Sequence, residues 1–145
     1  MAHLWERDEV TGALLGAVAT AATGAGSVSF IVGEAGLGKT SLVRLLQDQS
    51  PIRVGLGEAV AAEAALPFGL VSQALGGLEG FDELSVVEGL ASAEMRAAFY
   101  YRTARWVEKT VADEPLLVLV DDLHWADPDS LGLLGSCVGG WRHGV

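Results

Sequence analysis

Gly33-Glu34-Ala35-Gly36-Leu37-Gly38-Lys39-Thr40 fits the pattern G-x-x-x-x-G-K-[ST] at every position. A polyphosphate must be gripped without bulky side chains in its way. Glycines allow the backbone angles that turn successive amides inward into an anion nest. A helix opening at about Gly38 would aim its first amides and its positive dipole end at the same anion. Lys39 adds a point charge for the β and γ phosphates, and the Thr40 hydroxyl is placed to ligate Mg²⁺. A chance match occurs in roughly one chain of this length in a few hundred. The context makes chance a poor explanation, because a β-rich run precedes the loop and a helical pattern follows it. Lys39 is also one of only two lysines, the other being Lys109. The expected nucleotide-contacting residues are Gly33, Glu34, Ala35, Gly36, Leu37, Gly38, Lys39, Thr40 and Ser41. Glu34 and Leu37 fill variable positions, and their side chains receive no role.

On the N-terminal side, Ser27 to Val32 reads as a buried strand. Before it, Val10, Leu14, Val18 and Ala21 recur at helical spacing, so a helix is predicted from about Asp8 to Thr23, closed by Gly24 and Gly26. On the C-terminal side, Lys39 to about Gln49 reads as a helix ended by Ser50-Pro51. Ile52 to Gly57 reads as a strand, Phe68 to Leu75 as a short helix and Ser92 to Ala112 as a long one. Leu116 to Val120 is an apolar strand. Asp127, as N-cap with Pro128 behind it, opens a final helix closed by Gly139-Gly140. Alternating strands and helices predict an α/β fold, a parallel sheet flanked by helices, with residues 1–145 as a single domain.

The strand Leu117-Val118-Leu119-Val120 ends in Asp121-Asp122. Ligands of parallel sheets bind at the carboxyl ends of strands. Asp121 would hold Mg²⁺ beside Thr40, and Asp122 would orient or deprotonate a water for attack on the γ phosphate, as Lys39 neutralises charge. The plainer reading of two acids there is a strand ending in a solvated turn. His124 reads as a turn residue in preference to a γ-phosphate sensor, and Trp125 as packing for the turn in preference to a base-stacking platform.

The totals narrow the options. Half of the residues are hydrophobic, which fits a globular chain, and the net charge is −10. Such an acidic surface repels nucleic acid and anionic membranes. The lone Cys137 excludes an internal disulfide and reads as a small buried side chain. The charged start lacks a secretory leader's apolar core, and the longest apolar run is too short to span a bilayer. These features predict a cytoplasmic location.

The loop, together with Leu119-Val120-Asp121-Asp122-Leu123-His124-Trp125-Ala126-Asp127-Pro128 and Glu63-Ala64-Ala65-Leu66-Pro67-Phe68-Gly69-Leu70, resembles the AAA-type P-loop ATPase domain of large LuxR-type bacterial regulators. Those regulators belong to the signal-transduction ATPases with numerous domains, and their ATPase domains are often labelled origin-recognition-like. The resemblance covers about Leu4 to Leu134. It implies ATP as the nucleotide, Asp121 as the magnesium acid, Asp122 as the acid at the catalytic position, and a switch driven by binding and hydrolysis. Two departures stand out. Trp5-Glu6-Arg7-Asp8 keeps an arginine but has Glu6 where the family has glycine. The sequence also stops at Val145, about where the resemblance places a further strand between Val28–Val32 and Leu117–Asp121. The fold is therefore expected to be incomplete at its C-terminus. The isolated chain is expected to be poorly stable or to associate, and to hydrolyse ATP weakly. A non-hydrolysing fragment acting through protein contacts is the alternative function, and a small-molecule kinase on the same loop a third.

Overall fold

The computed structural model describes residues 2–81 and 92–141, with side chains over 8–81 and 92–137. The helices are α1 (Ala2–Ala21), α2 (Lys39–Gln49), α3 (Gly69–Leu75), α4 (Ala93–Asp113) and α5 (Pro128–Trp141), and the strands are β1 (Arg53–Glu58) and β2 (Leu116–Asp121). The strands form a two-stranded parallel sheet in the register Arg53↔Leu116 through Glu58↔Asp121. The fold is thus mixed helix and strand around a small parallel sheet.

Alternation along β2 divides the molecule. Leu116 and Val118 pack against a cluster of Phe68, Val71, Leu75, Leu78, Phe81, Phe99, Val107 and Leu133, drawn from α3, α4, α5 and the turns beside them. Leu117 and Leu119 face the opposite way, where Leu119 meets Val43 and Leu46 of α2, flanked by Leu14 and Leu15 of α1 and Val54 and Leu56 of β1. This period of two is what places helices on both faces. On the first face α3 sits directly on β1, which bears glycine at 55 and 57. A Cβ at 55 would collide with the carbonyl oxygen of Ala74, and one at 57 would lie 2.9 Å from Leu70 Cδ1. In α4, the Ser92 hydroxyl accepts the Met95 N–H, an N-cap bond.

Three expectations need correction. The predicted strand over 27–32 is not formed: the segment is irregular, has no ladder partner among the described residues, and leaves Phe30 76% and Val32 93% exposed. A strand exists only where its amides and carbonyls meet a second strand, and apolar pattern alone supplies none. Helix α5 does not stop at Gly139-Gly140 but continues to Trp141. Glycine lowers helix propensity by about 1 kcal/mol without forbidding it. Helix α1 begins at Ala2, earlier than its apolar stripe indicates, and ends near Gly24 (φ 93°). The side chains of Glu6 and Arg7 and the expected strand near Gly144-Val145 lie outside the described residues.

Candidate functional site

The glycine-rich turn is held by its own residues. Gly36 and Gly38 take left-handed backbone angles, φ 83° and 79°, which a side chain would oppose. Gly38 is the residue before α2 and Lys39 is its first residue. The Lys39 ammonium folds back across the turn and donates to the carbonyls of Gly33 (2.8 Å) and Glu34 (2.9 Å). The Leu37 N–H reaches the Glu34 carbonyl at 3.4 Å, closing the loop further. An ammonium has three donors, so two here fix its position and one remains for an anion. Gly33 to Leu37, Thr40 and Ser41 are exposed, while Gly38 and Lys39 are half-buried. The first amides of a helix have no partner within it. Ammonium, hydroxyls and amides together form a donor set that fits a polyphosphate.

The acidic strand end is built differently. Asp121, the last residue of β2, is 8% exposed and lies opposite Glu58 in the sheet register. Its Oδ1 accepts the Asp122 N–H at 2.9 Å and its carbonyl accepts the Ala59 N–H at 3.1 Å. Asp122 lies beyond the strand, exposed and in the left-handed region at φ 53°. The expectation that the strand ends in both acids is therefore corrected: β2 stops at Asp121, and the chain turns at Asp122, which the strand no longer orients. A single 3-10 turn, Leu123–Trp125, follows. His124 is exposed, with Nδ1 4.0 Å from Asp122 Oδ1 and its ring centroid 5.0 Å from that of Trp125. Trp125 is 45% exposed and lines a narrow crevice with Glu58, Glu63, Leu70 and Asp127.

Asp127 closes this turn. Its buried carboxylate accepts three amides, from Phe68 (2.9 Å), Leu70 (3.3 Å) and Ser130 (2.8 Å). The Ser130 hydroxyl, fully buried, accepts a fourth from Val71 at 3.1 Å. The start of α5 thus caps itself and the start of α3. Phe68 itself sits at φ 56°, a conformation uncommon for a residue with a Cβ, and its bond to Asp127 helps hold it there.

The two halves of the site ride on packed elements. Thr40 lies one turn from Val43 of α2, and Asp121 lies two residues from Leu119 of β2, and Val43 and Leu119 share a core cluster. Lys39 itself bonds to the loop carbonyls and to neither acid. Sequence reasoning foresaw Asp127 as the cap of α5 but missed its hold on α3, whose amides lie 57 and 59 residues away. Glu58 as the register partner of Asp121 was also missed, since register is not written in either strand alone. Cys137 is half-buried against the first core cluster, and burial pushes its thiol pKa above the ordinary value.

Among the described residues no group of three or more His, Cys, Asp or Glu side chains could hold a metal ion by itself. Mg²⁺ needs no such cage, because it is bound by one or two carboxylates together with substrate phosphates. Among the same residues no helix is long and apolar enough to cross a membrane.

A small parallel sheet with helices on both faces, a glycine-rich loop opening a helix and an acid-tipped strand fit a P-loop-like α/β domain. The AAA ATPase domain family matches residues 3–139, and the chain belongs to that family. Membership points to nucleotide binding and ATPase activity. No curated protein and no solved structure matches the chain.

Proposed function

We propose that this chain binds Mg-ATP as the P-loop module of a signal-transduction ATPase in a LuxR-type regulator of the STAND group, and that ATP hydrolysis accompanies binding in the full-length context. The observation that carries the reading is the Lys39 ammonium, which bonds back to the Gly33 and Glu34 carbonyls across a turn that contains two left-handed glycines, Gly36 and Gly38. Residues Gly33 to Ser41 hold the phosphates through backbone amides and the ammonium. Thr40 and Asp121 are the residues that would hold Mg²⁺, which when bound neutralises phosphate charge. Asp122, exposed and at the strand end, accepts the proton of the attacking water or fixes its direction. The acidic surface and the resemblance together support a cytoplasmic protein that touches neither nucleic acid nor membrane through this segment.

Isothermal titration of Mg-ATP tests the reading. Lys39→Ala should weaken binding by about 100-fold, the loss of a charge-assisted contact to phosphate. Binding left intact in that variant overturns the proposal. A second reading, a non-hydrolysing nucleotide-bound fragment acting through protein contacts or self-association, is favoured by the exposed apolar run of Val28, Phe30 and Val32. Asp122→Asn separates the two. Under the first reading it spares binding and removes phosphate release, and under the second it changes neither.

A further inference from the structure

We infer that Asp127 is a positioning residue for Asp122, holding the acid by clamping the far end of its turn to α3. The inference rests on Asp122 acting on the attacking water, as proposed above. Only four residues, Leu123 to Ala126, separate Asp122 from Asp127. The near end of this turn is fixed by the sheet, where Asp121 accepts from Ala59 and pairs with Glu58. The far end is fixed by the Asp127 carboxylate, 2% exposed, on the amides of Phe68, Leu70 and Ser130. Between these anchors the turn has its own bonds, Trp125 N–H to the Asp122 carbonyl (2.9 Å) and Ala126 N–H to the Leu123 carbonyl (3.1 Å). Asp122 sits in a left-handed conformation, which Asp tolerates but which the anchored ends of the turn select here.

The two anchors serve different acids, the sheet Asp121 and the clamp Asp122. Asp121 is set by the β1–β2 register and the loop by Lys39, and neither depends on Asp127. Ser130 accepts only from Val71, inside α3, and does not hold the turn. Loosening Asp127 therefore frees Asp122 while leaving the phosphate grip intact, whereas loosening Ser130 weakens the α3 junction alone.

The test compares Asp127→Asn with Ser130→Ala in the whole chain. Asparagine keeps one oxygen for Phe68 and Ser130 but presents an N–H₂ donor to the Leu70 amide. Mg-ATP affinity and turnover are measured together with ¹⁹F spectra of the 5-fluorotryptophan protein. Trp125 reports the turn, and Trp106, whose ring packs on Phe81, reports the core. Asp127→Asn should lower turnover by about 10- to 100-fold with affinity within about twofold, the signature of a misplaced group. The Trp125 line should shift or broaden while Trp106 holds, and Ser130→Ala should leave turnover unchanged. Equal losses of turnover in the two variants, or loss of affinity with a disturbed Trp106 line, would make the role structural only and overturn the inference. So would an unmoved Trp125 line. If the unaltered chain binds Mg-ATP without turnover, hydrolysis is what fails, and the Trp125 line alone then decides the positioning.

Discussion

The two halves of the candidate site are stabilised by opposite means. The loop at 33–37 is exposed, and the Lys39 ammonium holds it by bonds that reach back only six and five residues, to Gly33 and Glu34. The turn at 121–127 is tied to the start of α3 by bonds that span 57 and 59 residues, made by buried Asp127. A locally held turn keeps its shape wherever its few residues keep theirs. A turn held from a distance keeps its shape only while the packing of α3, α4 and α5 survives. The shape of the proposed phosphate loop is thus separable from global stability in this chain, and that of the turn bearing Asp122 is not.

The harshest way to break the contrast is Asp127→Ala. It strands the amides of Phe68, Leu70 and Ser130 in a buried place, and at about 1–3 kcal/mol for each unsatisfied group the loss should exceed about 3 kcal/mol. The midpoint of urea unfolding, read by far-UV circular dichroism, checks this. A shift of under about 1 kcal/mol would show that the long-range clamp contributes little. At the loop, Gly38→Ala forces a side chain into φ 79° and should lower stability by only about 1 kcal/mol, while Mg-ATP affinity falls far more than stability does. Parallel titration and urea unfolding of that variant measure the two effects. Equal falls would mean that the loop is not independent. The smallest effect sharpens the contrast from the core side. Burial raises the Cys137 thiol, so the folded chain keeps its proton where the unfolded chain, near the ordinary value of 9.0, has begun to lose it. The contribution is complete below pH 9 and is lost as pH rises through the folded value. Alkylation by iodoacetamide should accordingly be slow at neutral pH and need more alkaline solution than a free thiol does. Fast reaction at neutral pH would show that the α5 face opens easily.

What was legible in the sequence follows the same division. The loop, the helix from Lys39 to Gln49 and the short helix at α3 were readable because each is decided by neighbours a few residues away, and the strand ending at Asp121 was readable because its apolar run did find a partner in β1. Ser27 to Val32 misled because its β-rich composition states a preference, whereas a ladder requires a partner. The left-handed angle of Asp122 was invisible for a related reason. Asp tolerates that conformation, but only the distant clamp and the sheet demand it here. The second duty of Asp127 had a local signal for one helix and none for the other.

The bare backbone of β1 sets how this chain can drift. At Gly57 an added methyl would meet the flexible tip of Leu70 at 2.9 Å, the Ala74 Cβ at 3.0 Å and the Leu70 carbonyl oxygen at 3.1 Å, so trimming Leu70 relieves only the closest of three tight contacts. At Gly55 the obstacle is the peptide oxygen of Ala74, which no side-chain exchange can move. Two glycines two residues apart are therefore locked to different degrees by the seat of one helix, Gly57 in part by side chains that can be trimmed and Gly55 by backbone that cannot.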